Sequence, residues 1–211
     1  MTAAIPGPGR MPPRTGTSDD HLDIEVGRLR GALERHAERR AGARDERGGW
    51  QAATALVVAP DARGAAIAFI RRTDRPGDRW SGQMALPGGT RDPGDPDLAT
   101  TAVRETREEV GLTLGEPVTR LPDQGGRVSR GLVATFVHVL EERPTLRRAD
   151  PREVAEALWI PLPDLLSSDA TTRIRWNGVP FPGIDHGGRV IWGLTLRILD
   201  TFLEAVDLRR G

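Results

Sequence analysis

Residues 86–112 read LPGGTRDPGDPDLATTAVRETREEVGL, a glycine-rich turn followed by a short amphipathic segment. The segment carries Glu105, Glu108 and Glu109, and their i, i+3, i+4 spacing places all three on one face of an α-helix. Carboxylates at this spacing repel one another, so the cluster indicates that a positive charge lies on it. Mg²⁺ prefers oxygen ligands and combines carboxylates with waters and substrate phosphates. The stretch therefore predicts a metal site that holds a phosphate ester.

A solvated helix face with ordinary ion pairs is the alternative, because Arg104 and Glu108 are i, i+4 partners. The flanking residues favour the metal site. Residues 95–97 are suited to begin a helix and Gly111 to end it. An apolar seam opposite the charges runs through Leu98, Ala102, Thr106 and Val110. Before the helix, Gly88 and Gly89 allow the backbone to approach a ligand closely.

This arrangement resembles the Nudix box, GX5EX7REUXEEXGU with U aliphatic, of the Nudix hydrolases. The matching positions are Gly89, Asp95, Arg104, Glu105, Thr106, Glu108, Glu109, Gly111 and Leu112. Three features depart from the pattern. Asp95 replaces a Glu, Thr106 replaces an aliphatic residue, and eight residues rather than seven separate Asp95 from Arg104. Asp95 and the inserted residue are similar to the variant box of the coenzyme A pyrophosphatase subgroup.

The resemblance implies a divalent metal ion, Mg²⁺ or Mn²⁺, and a set of site residues. The implied ligands are Gly89, through its carbonyl, and Glu105, Glu108 and Glu109, and the three glutamates are also the catalytic candidates. Arg104 would orient a ligand carboxylate through its planar guanidinium. In many relatives a further acid outside the box is a ligand or general base. Glu153 is the first candidate for this role and Glu156 the second.

The loop before the glycines, IRRTDRPGDRWSGQMALPGG at 70–89, is similar to a signature of the same subgroup. The likeness lies in Arg72, Gly82, Gln83, Ala85, Pro87, Gly88 and Gly89, although Leu86 replaces the usual Phe. A second likeness lies downstream, at Arg189 and residues 191–195. The predicted substrate-binding residues are Arg71, Arg72, Gln83, Gly88 and Gly89.

Arginine binds phosphate oxygens through two N–H groups, so Arg75 and Arg79 are further phosphate candidates, with exposed loop charges as the alternative. Trp80 and Trp176 could stack on a nucleobase or pack against the protein.

The function implied is metal-dependent hydrolysis of a diphosphate bond in a nucleoside diphosphate derivative. Coenzyme A or acyl-CoA is the favoured substrate, with phosphopantetheine and adenosine 3′,5′-bisphosphate as products. The alternatives are hydrolysis of ADP-ribose, a nucleotide sugar or a nucleoside triphosphate. A nucleotide-sensing domain without turnover is the non-enzyme alternative, which the complete set of glutamates disfavours.

Composition limits the partners. The chain has 30 basic and 30 acidic residues and no cysteine. The balanced charge predicts no nucleic-acid partner, and the lack of cysteine excludes thiolate sites and disulfides. No stretch approaches the roughly 18 apolar residues of a membrane span. We expect a cytoplasmic protein whose partner is a small nucleotide.

The rest of the chain predicts an α/β fold, and the resemblance implies the Nudix α/β/α sandwich with a mixed sheet over residues 50–207. Residues 1–18 are predicted to be a disordered tail, 19–42 a helix and 42–49 a linker. The helix could dock on the domain or form a homodimer contact. The predicted strands lie at 54–60, 64–70, 132–142 and 154–162, with a hairpin at 172–185 and a helix from 191.

Overall fold

The computed structural model describes residues 25–40, 51–77, 80–125 and 131–211. Its helices are α1 (Val26–Arg40), α2 (Leu98–Val110), α3 (Leu162–Leu166) and α4 (Gly193–Ala205), with a 3₁₀ turn at Ser168–Ala170. Its strands are β1 (Gln51–Asp61), β2 (Gly64–Arg72), β3 (Met84–Ala85), β4 (Gly88–Thr90), β5 (Thr119–Arg120), β6 (Gln124–Gly125), β7 (Leu132–Val139), β8 (Val154–Pro161), β9 (Thr171–Trp176), β10 (Val179–His186) and β11 (Arg189–Trp192). None of these helices is long and apolar enough to cross a membrane.

The central sheet is mixed and contains eight strands within the described residues. Its main order is β3-β2-β1-β7-β5, with β4 paired to β1, β6 to β7 and β8 to β2. Strands β1 and β7 are parallel, in register from Gln51–Leu132 to Val58–Val139, and the other pairs are antiparallel. A three-stranded sheet, β9-β10-β11, lies beside it.

Helices cover both faces of the central sheet. On one face, Ala102 and Val110 of α2 pack with Ala55 and Ile70 of the sheet. On the other face, residues of α1 and α4 pack with the sheet, including Leu33, Phe202, Leu56 and Phe69. Residues of β1 and β2 are buried on both sides because each side of the sheet has its own core. The predicted α/β/α sandwich with a mixed sheet is confirmed.

The N-terminal helix α1 is docked on its own domain. Leu29 and Leu33 are buried in the core shared with α4. The Arg30 guanidinium donates to the Val139 carbonyl at 3.0 Å and pairs with Glu141 at 2.6 Å. Residues 19–24 and 41–42 of the predicted helix lie outside the described residues, as do the predicted tail at 1–18 and linker at 42–49.

The predicted strands and hairpin are present, with two corrections to their ends. Asn177 and Gly178 form the hairpin turn, and both have positive φ, which two-residue hairpin turns favour. The strand predicted over 132–142 ends at Val139. The helix predicted from residue 191 begins at Gly193, because the preceding residues pair with β10 as β11.

Candidate active site

Helix α2 begins and ends where its flanking residues dictate. The Asp97 carboxylate caps its start by accepting from the Thr100 N–H at 2.8 Å. Gly111 ends it in the left-handed conformation, and its N–H bonds to the Arg107 carbonyl. The helix therefore presents its glutamates from a fixed position against the sheet.

The three glutamates of α2 occupy three different environments. Glu109 is 4% exposed, and its Oε2 accepts the Gly88 N–H at 2.8 Å. The Glu105 side chain is 15% exposed and that of Glu108 is 50% exposed. Glu109 and Glu105 therefore face the glycine turn, whereas Glu108 lies at the solvent edge.

Gly88 and Gly89 allow the turn to lie against these carboxylates. Gly88 has φ +154°, and a Cβ there would lie 2.3 Å from the Ala53 carbonyl oxygen of β1. A Cβ on Gly89 would lie 2.5 Å from Glu105 Oε1. A side chain at Gly88 would collide with the backbone of β1, and one at Gly89 would displace the Glu105 carboxylate, so the two glycines allow β4 to lie directly against the α2 carboxylates.

Arg104 is the positive centre of the cluster. Its Nη1 donates to Glu105 at 3.0 Å and to Glu108 at 2.9 Å, and its Nη2 donates to Asp95 at 3.0 Å. Asp95 is 6% exposed and also accepts the Thr101 hydroxyl at 2.9 Å. Asp95 thus holds the guanidinium that orients two of the glutamates.

The buried acids have opposite pKa shifts. Burial raises the pKa of Glu109 to about 8, the charges of Glu105 and Glu153 add to this effect, and the Gly88 hydrogen bond opposes it. Burial also raises the pKa of Glu105. The Arg104 hydrogen bond, with help from the Asp92 N–H and Thr101, holds the pKa of Asp95 far below its usual range. Asp95 therefore has a strong cationic partner in Arg104, whereas burial disfavours the ionised form of Glu109, which a bound cation would stabilise.

Glu153 and Glu156 lie in different surroundings. Glu153 precedes β8, and its half-exposed carboxylate is 3.8 Å from Arg75. Its charge contributes to the raised pKa values of Glu105 and Glu109. Glu156 accepts from Arg71 Nε at 2.9 Å and from Arg189 Nε at 2.7 Å. Glu153 is thus electrostatically coupled to the α2 cluster, whereas Glu156 forms a bridge between β2 and β11.

The predicted substrate arginines point in different directions. Arg71 bonds to Glu156 and, at 3.5 Å, to the exposed Asp74. Arg72 follows it on β2, and its charge lowers the pKa of Glu109. The Arg72 N–H donates to the Gln83 carbonyl at 3.0 Å, which closes the loop between β2 and β3. The charge of Arg72 therefore acts on the carboxylates, Gln83 is joined to Arg72 through the backbone, and Arg79 lies outside the described residues.

With this geometry established, similarity to known proteins defines the family. The family model described as NUDIX domain matches residues 50–178. The chain belongs to the Nudix hydrolase family. It is 40% identical over 118 residues to an uncharacterized protein of Schizosaccharomyces pombe, covering 52% of this chain and 36% of the relative. It is 34% identical over 164 residues to the mitochondrial coenzyme A diphosphatase NUDT8 of Homo sapiens, covering 72% of this chain and 69% of the relative.

The Nudix fold is also found among solved structures. A MutT/nudix family protein from Enterococcus faecalis superposes with a TM-score of 0.50 at 16% identity, covering 86% of this chain and 74% of that chain. At this identity the likeness concerns the fold alone.

Nudix hydrolases generally use divalent metals, and the donor chemistry of this site fits such an ion. Among the described residues, no three acidic or histidine side chains are grouped so as to hold a metal by themselves. Mg²⁺ usually takes one or two carboxylates and completes its shell with waters and substrate phosphates. Glu105 and Glu109 are two such carboxylates, and the adjacent Gly89 carbonyl belongs to the same turn.

Sequence reasoning missed the interactions that support these residues. It placed Asp95 in the box but did not identify its bond to Arg104, nine residues along. It also missed the hydrogen bond from Arg75 Nη2 to the carbonyl of Arg152, the residue before Glu153. The sequence contained a signal for the first bond, because an Asp just before the helix and an Arg within it have opposite charges and are suited to form an ion pair. Nothing local in the sequence signals the second.

Proposed function

We propose that this chain hydrolyses the diphosphate bond of coenzyme A or acyl-CoA with the help of Mg²⁺ or Mn²⁺. The products are adenosine 3′,5′-bisphosphate and phosphopantetheine, which keeps its acyl group when acyl-CoA is the substrate. The observation that carries the proposal is the pair formed by the buried Glu109 and the partly buried Glu105, which lies directly against the Gly88–Gly89 turn. Two shielded acids with raised pKa values favour a bound cation, and a cation suits a diphosphate.

The proposed ligands are the Gly89 carbonyl and the carboxylates of Glu105, Glu108, Glu109 and Glu153. When bound, a divalent ion stabilises the charge that develops on the phosphoryl oxygens and lowers the pKa of water.

The protein's own groups hold this set in place. The Gly88 N–H fixes Glu109, and Arg104 fixes Glu105 and Glu108 while Asp95 holds Arg104. The charge of Arg72 acts on Glu109, and its guanidinium is suited to bind a substrate phosphate oxygen. We propose the Glu153 carboxylate as the general base that receives a proton from the attacking water. It is half exposed, and its charge acts on Glu105 and Glu109.

The choice of coenzyme A is supported by three features. Asp95 and the inserted residue resemble the variant box, the loop from Arg72 to Gly89 resembles the subgroup signature, and one relative is named a coenzyme A diphosphatase. Hydrolysis of ADP-ribose, a nucleotide sugar or a nucleoside triphosphate is the alternative reaction. The cytoplasmic location and the possible homodimer stay predictions.

A substrate panel tests this proposal. The chain is incubated with Mg²⁺ or Mn²⁺ and coenzyme A, acetyl-CoA, ADP-ribose, a nucleotide sugar or ATP, and the products are identified by mass spectrometry. We expect the highest kcat/KM for coenzyme A or its acyl form, with Glu109→Gln as the inactive control. Cleavage of ADP-ribose without cleavage of coenzyme A would reject coenzyme A as the substrate. Binding of nucleotides without turnover of any of them would favour the sensing domain.

A further inference from the structure

Four aromatic side chains form a cluster outside the two cores, which we call the aromatic cluster: Trp80, Trp176, Phe181 and Trp192. Trp80 and Trp176 are stacked, with centroids 6.0 Å apart and planes inclined by 16°. Trp192 and Phe181 support Trp176 at centroid distances of 5.8 and 6.3 Å. Trp80 is 40% exposed, and the other three are half-buried. Contiguous apolar surface that is exposed to solvent is one mark of a binding site.

The aromatic cluster lies on the outer face of the three-stranded sheet. Ile184 and Ile191 of β10 and β11 pair with each other and are buried in the core shared with α4. Side chains alternate along a strand, so Trp192 is on the opposite face from Ile191. Trp80 comes from the loop between β2 and β3 and covers this face.

The same loop leads directly to the carboxylates. The Gln83 N–H donates to the Trp80 carbonyl at 3.4 Å, and the Gln83 carbonyl accepts the Arg72 N–H at 3.0 Å. The charge of Arg72 acts on Glu109. Three residues of chain span at most about 11 Å, so Trp80 lies within the length of a nucleoside from Gln83, whose backbone pairs with that of Arg72.

We propose that Trp80, supported from behind by Trp176, stacks on the nucleobase of the substrate. The inference rests on the proposed function insofar as the ligand is a nucleoside diphosphate derivative. Nearly parallel rings present a flat surface, which suits a planar base better than a flexible acyl chain. Because every base has a π-face, stacking alone predicts weak discrimination between adenine and guanine.

Binding of a non-hydrolysable analogue tests the stack without turnover. The chain is titrated with α,β-methylene-ADP in the presence of Mg²⁺, and Kd is measured by calorimetry and by quenching of tryptophan fluorescence. Trp80→Ala should raise Kd by about 5- to 150-fold, the range that loss of one base–aromatic stack produces, and Trp80→Phe should restore most of the affinity. Methylenediphosphonate, which lacks the nucleoside, should bind the wild type and Trp80→Ala equally.

Trp159 provides a matched tryptophan control. It packs on the α2 side of the central sheet, and its Nε1 donates to the Pro144 carbonyl at 2.8 Å. Trp159→Phe should therefore leave both the Kd of α,β-methylene-ADP and the extent of quenching close to the wild-type values.

Three results would overturn the stack: an unchanged Kd in Trp80→Ala, an equal loss of affinity for methylenediphosphonate, or a loss for phosphopantetheine in place of the ADP analogue. In turnover assays Trp80→Ala should raise KM and leave kcat almost unchanged. If the wild type and Trp80→Ala cleave coenzyme A with the same KM, the proposed stacking by Trp80 is wrong and the proposed diphosphatase activity is supported. If coenzyme A is not cleaved but Trp80→Ala still weakens binding of α,β-methylene-ADP, coenzyme A is wrong as the substrate and stacking by Trp80 is supported.

Discussion

Asp95 and Glu109 are two carboxyl groups that the fold buries almost equally and treats in opposite ways. Asp95 is 6% exposed and Glu109 is 4% exposed. Asp95 receives hydrogen bonds from Arg104, Thr101 and the Asp92 N–H, so its pKa is far below the usual range. Burial raises the pKa of Glu109 to about 8, with help from the like charges of Glu105 and Glu153, and the hydrogen bond from the Gly88 N–H opposes this shift.

At similar solvent exposure, the partners of each acid decide whether the desolvation that opposes its ionised form is overcome, as at Asp95, or persists, as at Glu109. The Arg104 guanidinium neutralises Asp95, which stabilises the start of α2. Ionised Glu109 is destabilised by burial and like charge, and a bound cation would relieve this. We therefore expect Asp95 to act mainly on stability and Glu109 mainly on activity. Each of the following substitutions tests one side of that division.

The largest effect is expected for Glu109→Gln. Loss of a carboxylate that holds a metal ion removes several kcal/mol of transition-state stabilisation, or on the order of 1000-fold in kcat. The amide oxygen can still accept the Gly88 N–H, and a buried charge is removed, so the free energy of unfolding should be unchanged or higher. Steady-state kinetics and urea unfolding measure the two quantities. Near wild-type kcat would reject Glu109 as a ligand.

Asp95→Ala should show the reverse pattern. Removing one partner of a buried ion pair costs about 3 kcal/mol of unfolding free energy, because Arg104 loses the most buried of its three acidic partners. The control is Asp97→Ala, which removes only the cap of α2 and should cost about 1 kcal/mol. Urea unfolding compares the two variants. If Asp95→Ala abolished kcat at full stability, the assignment of Asp95 to the scaffold would be wrong.

Glu153 and Glu156 extend the comparison to two acids of one segment. Glu153→Gln should lower kcat by about 100-fold, as expected for loss of a general base. Glu156→Gln should leave kcat intact and lower the unfolding free energy by about 1 kcal/mol, since its ion pairs with Arg71 and Arg189 are partly exposed. The kcat values of the two variants, measured at one pH, test this. A large loss of kcat in Glu156→Gln and none in Glu153→Gln would make Glu156 the general base.

His138 tests whether burial without a charged partner also shifts stability. Burial on β7 lowers its pKa from 6.5 to about 4, and a backbone contact at Gly115 opposes this only in part. The unfolded chain then binds the proton more tightly than the folded protein. The contribution of His138 is complete above pH 6.5 and decreases as the pH falls, by about 2 kcal/mol between pH 7 and pH 5.

His138→Leu should remove this pH dependence, and unfolding of both proteins by urea at about pH 7 and about pH 5 measures it. Parallel loss of stability in the two proteins would show that other groups cause the acid sensitivity.

Much of the fold could be predicted because its signals are local. The limits of α2 follow from Asp97 and Gly111, and the hairpin follows from Asn177-Gly178. The predicted helix start at residue 191 was wrong because pairing of β11 with β10 overrides the helical periodicity. The side of the sheet on which Arg71 and Arg72 lie could not be read locally, since β2 has a register irregularity between them.

The sequence by itself determined the family, the α/β/α fold and the set of acids on α2, because each depends on residues close together in the chain. Only the tertiary structure decided which acids of the site form an ion pair and which lie near other negative charges. Asp95 meets Arg104, and Glu109 meets the Gly88 N–H and Glu153, through the packing of the turn, α2 and the segment before β8. Charge and desolvation depend on distances between such segments, and those distances exist only in the folded chain.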